Sequence, residues 1–238
     1  MTTLRIGLLL PSSNTTMEPD FYGMAPVGVT VHSARMMLKS VTVEGLEEMA
    51  GEALRAGALL ASAKVDVLIY GCTSGSLIRC VDWEREFVSG IEAETGVPAV
   101  STAGAVVEAL RALGLRRVGV ATPYTDDING LERRFLEAQG FEVESILGLG
   151  LVDNHEIAAV PPEKIVELAK EAAAGSDGVF VSCTNLPAAS LVHELEAKLR
   201  RPVVTSNQAS MWAGLRVLGL RGFEGHGRLL EDLLGRSP

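Results

Sequence analysis

The sequence predicts an α/β protein made of two similar lobes, each a parallel sheet covered by helices. Three observations predict it. Eight short runs rich in β-branched residues alternate with helical patterns along the chain, which is the rhythm of βαβ units. Landmarks recur at a nearly constant offset: Pro11 to Pro123 is 112 residues and Cys72 to Cys183 is 111, the mark of a duplicated half. Finally, 238 residues with 47% hydrophobic content can bury a sizeable core without disulfide support.

The strand-like runs are, in order, "RIGLLL" from Arg5, "VTVHSA" from Val29, "VDVLIY" from Val65, "VPAVS" from Val97, "RRVGVA" from Arg116, "FEVESI" from Phe141, "DGVFVS" from Asp177 and "RPVVTS" from Arg201. Between them, Thr42 to Ala63 and Pro161 to Ala174 carry apolar residues at helical spacing, with Glu and Pro early, as helix starts prefer. "IGLLLPSSN" from Ile6 resembles "VGVATPYTD" from Val118, and "VPAVST" from Val97 resembles "RPVVTS" from Arg201. This last pair is only 104 residues apart, because the second half has a shorter connection there. The expected division is an N-terminal lobe at 1–115 and a C-terminal lobe at 116–238, related by a pseudo-twofold, with the last helix able to pack back on the first lobe.

Charge and motifs exclude several classes of function. A formal charge of −9 with dispersed basic residues, including Arg133, Arg134, Arg200 and Arg201, repels a phosphate backbone, so no nucleic-acid partner is expected. The opening segment has only a five-residue apolar stretch, and no window approaches the ~18 apolar residues of a membrane span. A cytoplasmic protein without a membrane partner is expected. Three cysteines, Cys72, Cys80 and Cys183, form no CxxC or zinc-spaced cluster, and no phosphate loop, dinucleotide fingerprint or HExxH motif is present.

The chemistry concentrates at strand ends. In open parallel sheets the crevice beyond the carboxyl ends of the strands holds the ligand, and Asn14, Cys72, Tyr124 and Cys183 each follow such a strand. Two facing lobes would present the two thiols to opposite sides of one small molecule in the cleft between them. A strand-to-helix turn, which "CTSGS" and "CTN" both suit, offers backbone N–H groups that favour a thiolate. Thr73, Ser74, Thr184 and Asn185, with Ser12, Ser13, Asn14, Tyr124, Asn154 and Asn207, add neutral donors suited to carboxylates. Helix capping is the structural alternative for these residues, as burial at a strand end is for the cysteines. Cys80, Trp83 and Trp212 read as packing residues, and His193 as a surface residue of a helix. A Cys/His hydrolase would need a histidine brought in by folding, since none is close to either cysteine.

"IGLLLPSSNTTMEPDF" (Ile6 to Phe21), "GCTSGS" (Gly71 to Ser76), "ATPY" (Ala121 to Tyr124), "DN" (Asp153 to Asn154) and "SCTN" (Ser182 to Asn185) together resemble the aspartate/glutamate racemase superfamily. They are most similar to its branch of maleate cis-trans isomerases and arylmalonate decarboxylases, over nearly the whole chain. The resemblance implies two flavodoxin-like lobes and a cofactor-free, metal-free enzyme acting on a small carboxylate. Carried over by position, Cys72 is the nucleophile, Cys183 the acid/base partner, and Asn14, Tyr124 and Asn154 bind substrate carboxylates. Thr73, Ser74 and Tyr124 also match the decarboxylase's oxyanion pocket, but those decarboxylases lack the first cysteine. Two thiols therefore favour maleate-type isomerisation. A racemase of aspartate, glutamate or a hydantoin is the runner-up, since "TSG" after Cys72 is racemase-like, and a small-acid-binding sensor is the non-enzymatic alternative. The apolar fraction permits a homo-oligomer.

Overall fold

A computed structural model describes residues 3–79, 81–220 and 225–235, so Cys80 lies outside the described residues. The chain begins with β1 (Leu4–Pro11), α1 (Met17–Met24), β2 (Val29–Met36), α2 (Val43–Ala50), α3 (Ala53–Ser62) and β3 (Val67–Tyr70). Next come α4 (Thr73–Leu77), α5 (Val81–Thr95), β4 (Ala99–Ser101) and α6 (Thr102–Ala112). The second half runs β5 (Arg117–Thr122), α7 (Asp126–Ala138), β6 (Glu142–Gly148), α8 (Asn154–Ala158), α9 (Pro162–Ala172), β7 (Gly178–Val181), α10 (Val192–Leu199), β8 (Val203–Thr205), α11 (Ser206–Val217) and α12 (Arg228–Gly235). Each run read from the sequence as a strand is one.

The strands form two four-stranded sheets of identical order, β2-β1-β3-β4 and β6-β5-β7-β8, parallel throughout. Strand order reverses beside β1 in one sheet and beside β5 in the other. The crevices at such switch points open beyond the carboxyl ends of the central pairs β1/β3 and β5/β7. Tyr70 pairs with Leu9 and Val181 with Ala121, so Cys72 and Cys183 leave their sheets at matching heights.

The two sheets share a core. The fourth strand of each ends in a hydroxyl residue that caps the next helix: Ser101 accepts from the Gly104 N–H at 2.9 Å and Thr205 from Gln208 at 3.2 Å, within a capping box. The helices so started, α6 and α11, pack on each other. One apolar cluster runs from Ile6, Leu8 and Ile69 of the first sheet through Val106 and Leu110 to Val118, Phe180 and Trp212. Close approach here needs glycine: a Cβ on Gly214 of α11 would lie 2.9 Å from Ile69 Cδ1 of β3. No helix of the described residues is long and apolar enough to cross a membrane.

The segment Thr42 to Ala63, read from the sequence as one helical pattern, is two helices. The Gly51 N–H is split between the carbonyls of Glu47 at 3.4 Å and Glu48 at 3.2 Å, and the Glu52 N–H turns back to Met49 at 3.0 Å. That is a tightened turn where glycine lowers the propensity to continue. Trp212 is buried, as read from the sequence; Trp83 stacks on Phe87 with ring centroids 5.0 Å apart. His193 is largely exposed and lies 3.4 Å from Glu231.

Candidate active site

Cys72 caps α4. Its backbone is extended (φ −144°, ψ 112°) and its Sγ accepts from the Gly75 N–H at 3.3 Å, with the Ser74 hydroxyl 3.8 Å away. Ser76 fastens the turn by donating to the carbonyls of Cys72 at 2.7 Å and Thr73 at 2.9 Å. Position 75 admits only glycine without displacement, since a Cβ there would lie 2.9 Å from the Tyr70 hydroxyl and 3.0 Å from Cys72 Sγ. Burial pushes the Cys72 thiol up to about 12, against the pull of the Gly75 N–H and Ser74, and a charge on Cys183 pushes it further the same way.

Cys183 is held differently. Its φ of +100° lies in the left-handed region, where a side chain strains the backbone. No regular helix follows: α10 starts only at Val192. The sequence expectation of a helix N-terminus behind this thiol is therefore corrected; "CTN" leads into a stretch of turns. Cys183 Sγ accepts from the Asn185 N–H at 3.4 Å and from the Tyr124 hydroxyl. Burial raises this thiol to about 11, and those donors together with the Leu186 N–H oppose the shift.

The two thiols line one small cavity of about 10 Å³, room for a single water molecule and far below the roughly 300–1,000 Å³ of drug-sized sites. Nine of the twelve residues singled out from the sequence, Asn14, Cys72, Thr73, Ser74, Tyr124, Asn154, Cys183, Thr184 and Asn185, line it with the apolar Pro11, Leu38 and Val41, whereas Ser12, Ser13 and Asn207 do not. A larger groove along α5 and α6 has no thiol in its wall. Many of the neutral donors also hold the lobes together. Asn14 Nδ2 donates to Thr184 Oγ1 at 3.1 Å and Asn154 Nδ2 to Ser13 Oγ at 2.8 Å, while within the second half Asn185 Nδ2 donates to the Asn154 carbonyl at 2.6 Å. Asn185 Oδ1 accepts from the Thr15 N–H at 2.9 Å. No lining residue is cationic, so an anion here is met by N–H and O–H groups alone.

The family model for arylmalonate decarboxylase matches residues 6–230. The chain belongs to this family. A maleate isomerase from Pseudomonas putida is 33% identical, over 95% of this chain and 97% of its own. A solved structure of the maleate isomerase Iso from Pseudomonas putida superposes with a TM-score of 0.93 at 30% identity, covering 98% of this chain and 100% of that one. A cysteine-to-serine variant of the Nocardia farcinica maleate cis-trans isomerase, with a covalently bound succinylcysteine intermediate, superposes with a TM-score of 0.91 at 30% identity, covering 97% and 99%.

Within this arylmalonate decarboxylase-family fold, two residues that the sequence reading passed over stand beside the thiols. Ser206 Oγ accepts from Thr73 Oγ1 at 2.8 Å and from the Cys183 N–H at 3.0 Å, bridging the two cysteine turns. The repeat of "VST" and "VTS" at the fourth strands was its signal. Glu132 is fully buried and accepts from Ser182 Oγ at 2.7 Å. Its spacing from Ile128, Phe135 and Leu136 puts it on the apolar face of α7, which the sequence does show. Asn207, named among the donors, instead donates to Asp20 Oδ2 at 2.6 Å and to the Thr184 carbonyl at 3.0 Å.

Proposed function

We propose that this chain is a cofactor-independent isomerase that converts maleate to fumarate. The observation that carries the reading is the pair of thiols, from equivalent turns of two like lobes, at one small cavity rich in neutral donors. In the reactive form Cys72 is a thiolate, held by the Gly75 N–H and Ser74, and Cys183 is a thiol. The Cys72 sulfur forms a C–S bond to one alkene carbon, and the electron pair of the double bond moves toward the carboxylate on the other. Cys183 delivers its proton to that second carbon, leaving a succinyl group on Cys72 and a thiolate on Cys183. The central bond is now single and rotates. Cys183 takes a proton back, the C–S bond breaks, and the trans diacid leaves with both cysteines restored. Asn14, Tyr124 and Asn154 hold the carboxylates, with Thr73, Ser74, Thr184 and Asn185 completing the donor set.

Because burial raises both thiols, the reactive form is a minor one at neutral pH and grows as pH rises. Purified protein treated with a chelator is expected to convert maleate to fumarate with kcat/KM climbing from pH 6 to pH 9, and Cys72→Ala is expected to abolish it. Activity that survives that substitution removes Cys72 as nucleophile. The family model favours one second reading, decarboxylation of an arylmalonate; release of carbon dioxide from phenylmalonate at a rate exceeding turnover of maleate would put it first.

A further inference from the structure

Glu132 is a buried carboxylate for which the reaction above has no use. Its side chain is 0% exposed; Oε1 is bonded to Ser182, and Oε2 has no partner. Burying a carboxylate with one oxygen unsatisfied is costly, and the twin lobe shows that the fold does not demand it. Moving back 111 residues, Ile128 falls on Met17, Phe135 on Met24, Ser182 on Gly71 and Glu132 on Phe21. Met17, Phe21 and Met24 are the buried face of α1. The first lobe therefore solves the same packing problem with Phe and Gly, and only the lobe carrying Cys183 has a Ser–Glu pair.

We propose that Glu132 is a positioning residue that biases Cys183 toward its protonated, proton-donating form. The proposal rests on the isomerase reading for its purpose. Ser182, which bonds the carboxylate, is adjacent in the chain to Cys183. A negative charge on Glu132 disfavours ionisation of Cys183 and of Tyr124, the phenol bonded to it, whereas it is not among the causes that shift Cys72. Competing charges around it are few. On α7, Arg133 turns to the Val143 carbonyl and Glu137. Helix α4, packed against α7, carries no ionisable side chain, and neither does β7. On β5 and β6, Arg117 pairs with Asp177 and Glu144, and Glu142 is exposed.

Burial raises Glu132 to about 7, so the charge is present wherever a cysteine begins to ionise. The test is alkylation by iodoacetamide as a function of pH, with Cys72 and Cys183 quantified separately by peptide mass spectrometry. In Glu132→Gln the alkylation rate of Cys183 at pH 8 is expected to rise roughly three- to tenfold, with less than a twofold change at Cys72, and Glu132→Asp is expected to return it toward wild type. In wild type, the rise of the Cys183 rate with pH is expected to fall below tenfold per unit between about pH 6 and pH 8, as Glu132 ionises. Should Glu132→Gln fail to fold, that wild-type profile decides. An unchanged Cys183 rate in the variant, an equal rise at both thiols, or a full tenfold slope through neutrality in wild type overturns the proposal. None of these readings needs turnover, so a protein inactive on maleate that still shows the shift would remove the isomerase reading and keep the role of Glu132.

Discussion

Cys72 and Cys183 leave equivalent strands 111 residues apart, and their turns share little else. Cys72 has relaxed extended backbone and a sulfur pointed at the first N–H groups of a helix. Cys183 has left-handed backbone, no helix behind it, a phenol on its sulfur and a buried carboxylate beside it. An N–H at a helix start stabilises an anion that is to form, and a neighbouring negative charge holds a proton in place. Duplication supplied two like thiols. The residues around them have diverged, and on the proposed mechanism the Cys72 turn serves attack and the Cys183 turn proton delivery.

The strongest way to break that comparison is to exchange each thiol for a hydroxyl. Both Cys72→Ser and Cys183→Ser are expected to lower fumarate formation at least about a thousandfold, but only Cys183→Ser should accumulate a succinyl adduct, mapped to Cys72 by intact-mass and peptide analysis. An adduct on Cys183 in the Cys72→Ser protein would mean that the roles are reversed.

Stability against pH probes the carboxylate half of the comparison. Glu132 is raised from 4.5 to about 7 in the folded protein, so the folded state holds its proton more tightly than the unfolded chain. Its contribution to stability is fully present below about pH 4.5 and is lost as pH rises through about 7, a change on the order of 3 kcal/mol. Glu132→Gln, which can still accept from Ser182, has no such loss. Its Tm is therefore expected to exceed that of wild type at pH 8 by several degrees and to match it near pH 4.5, read by thermal denaturation at both values. A constant difference across that range would mean that the carboxyl is not ionising in burial.

The architecture was readable because every strand announced itself by β-branched runs, and the offset between Cys72 and Cys183 exposed the duplication. The cavity wall was readable for a related reason: with strand order reversing beside β1 and β5, whatever follows the central strands must meet, and that principle places Asn14, Cys72, Tyr124 and Cys183 together. Other features depend on three-dimensional packing. The left-handed backbone at Cys183 has no sequence signature, since cysteine does not favour it, and without it the expectation of a helix behind "CTN" was reasonable. Glu132 looks like one more acid in a helix that starts with Asp126 and Asp127; only its phase against Ile128 and Phe135 marks it as buried. The mutual pairing of Asn14, Thr184, Asn154 and Ser13 was equally out of reach, because it joins residues more than a hundred positions apart.

The smallest expected effect tests the strain at Cys183. At φ +100° an alanine keeps the Cβ that crowds the backbone, whereas a glycine adopts this conformation freely, at the cost of a more flexible unfolded chain. Strain of this kind is worth about 1–3 kcal/mol and the flexibility of glycine about 0.5–1 kcal/mol. Cys183→Gly is therefore expected to be about 1 kcal/mol more stable than Cys183→Ala in urea denaturation, with both inactive. If alanine equals or exceeds glycine there, the backbone at Cys183 is not strained, and the contrast between the two turns reduces to their hydrogen bonds and to Glu132.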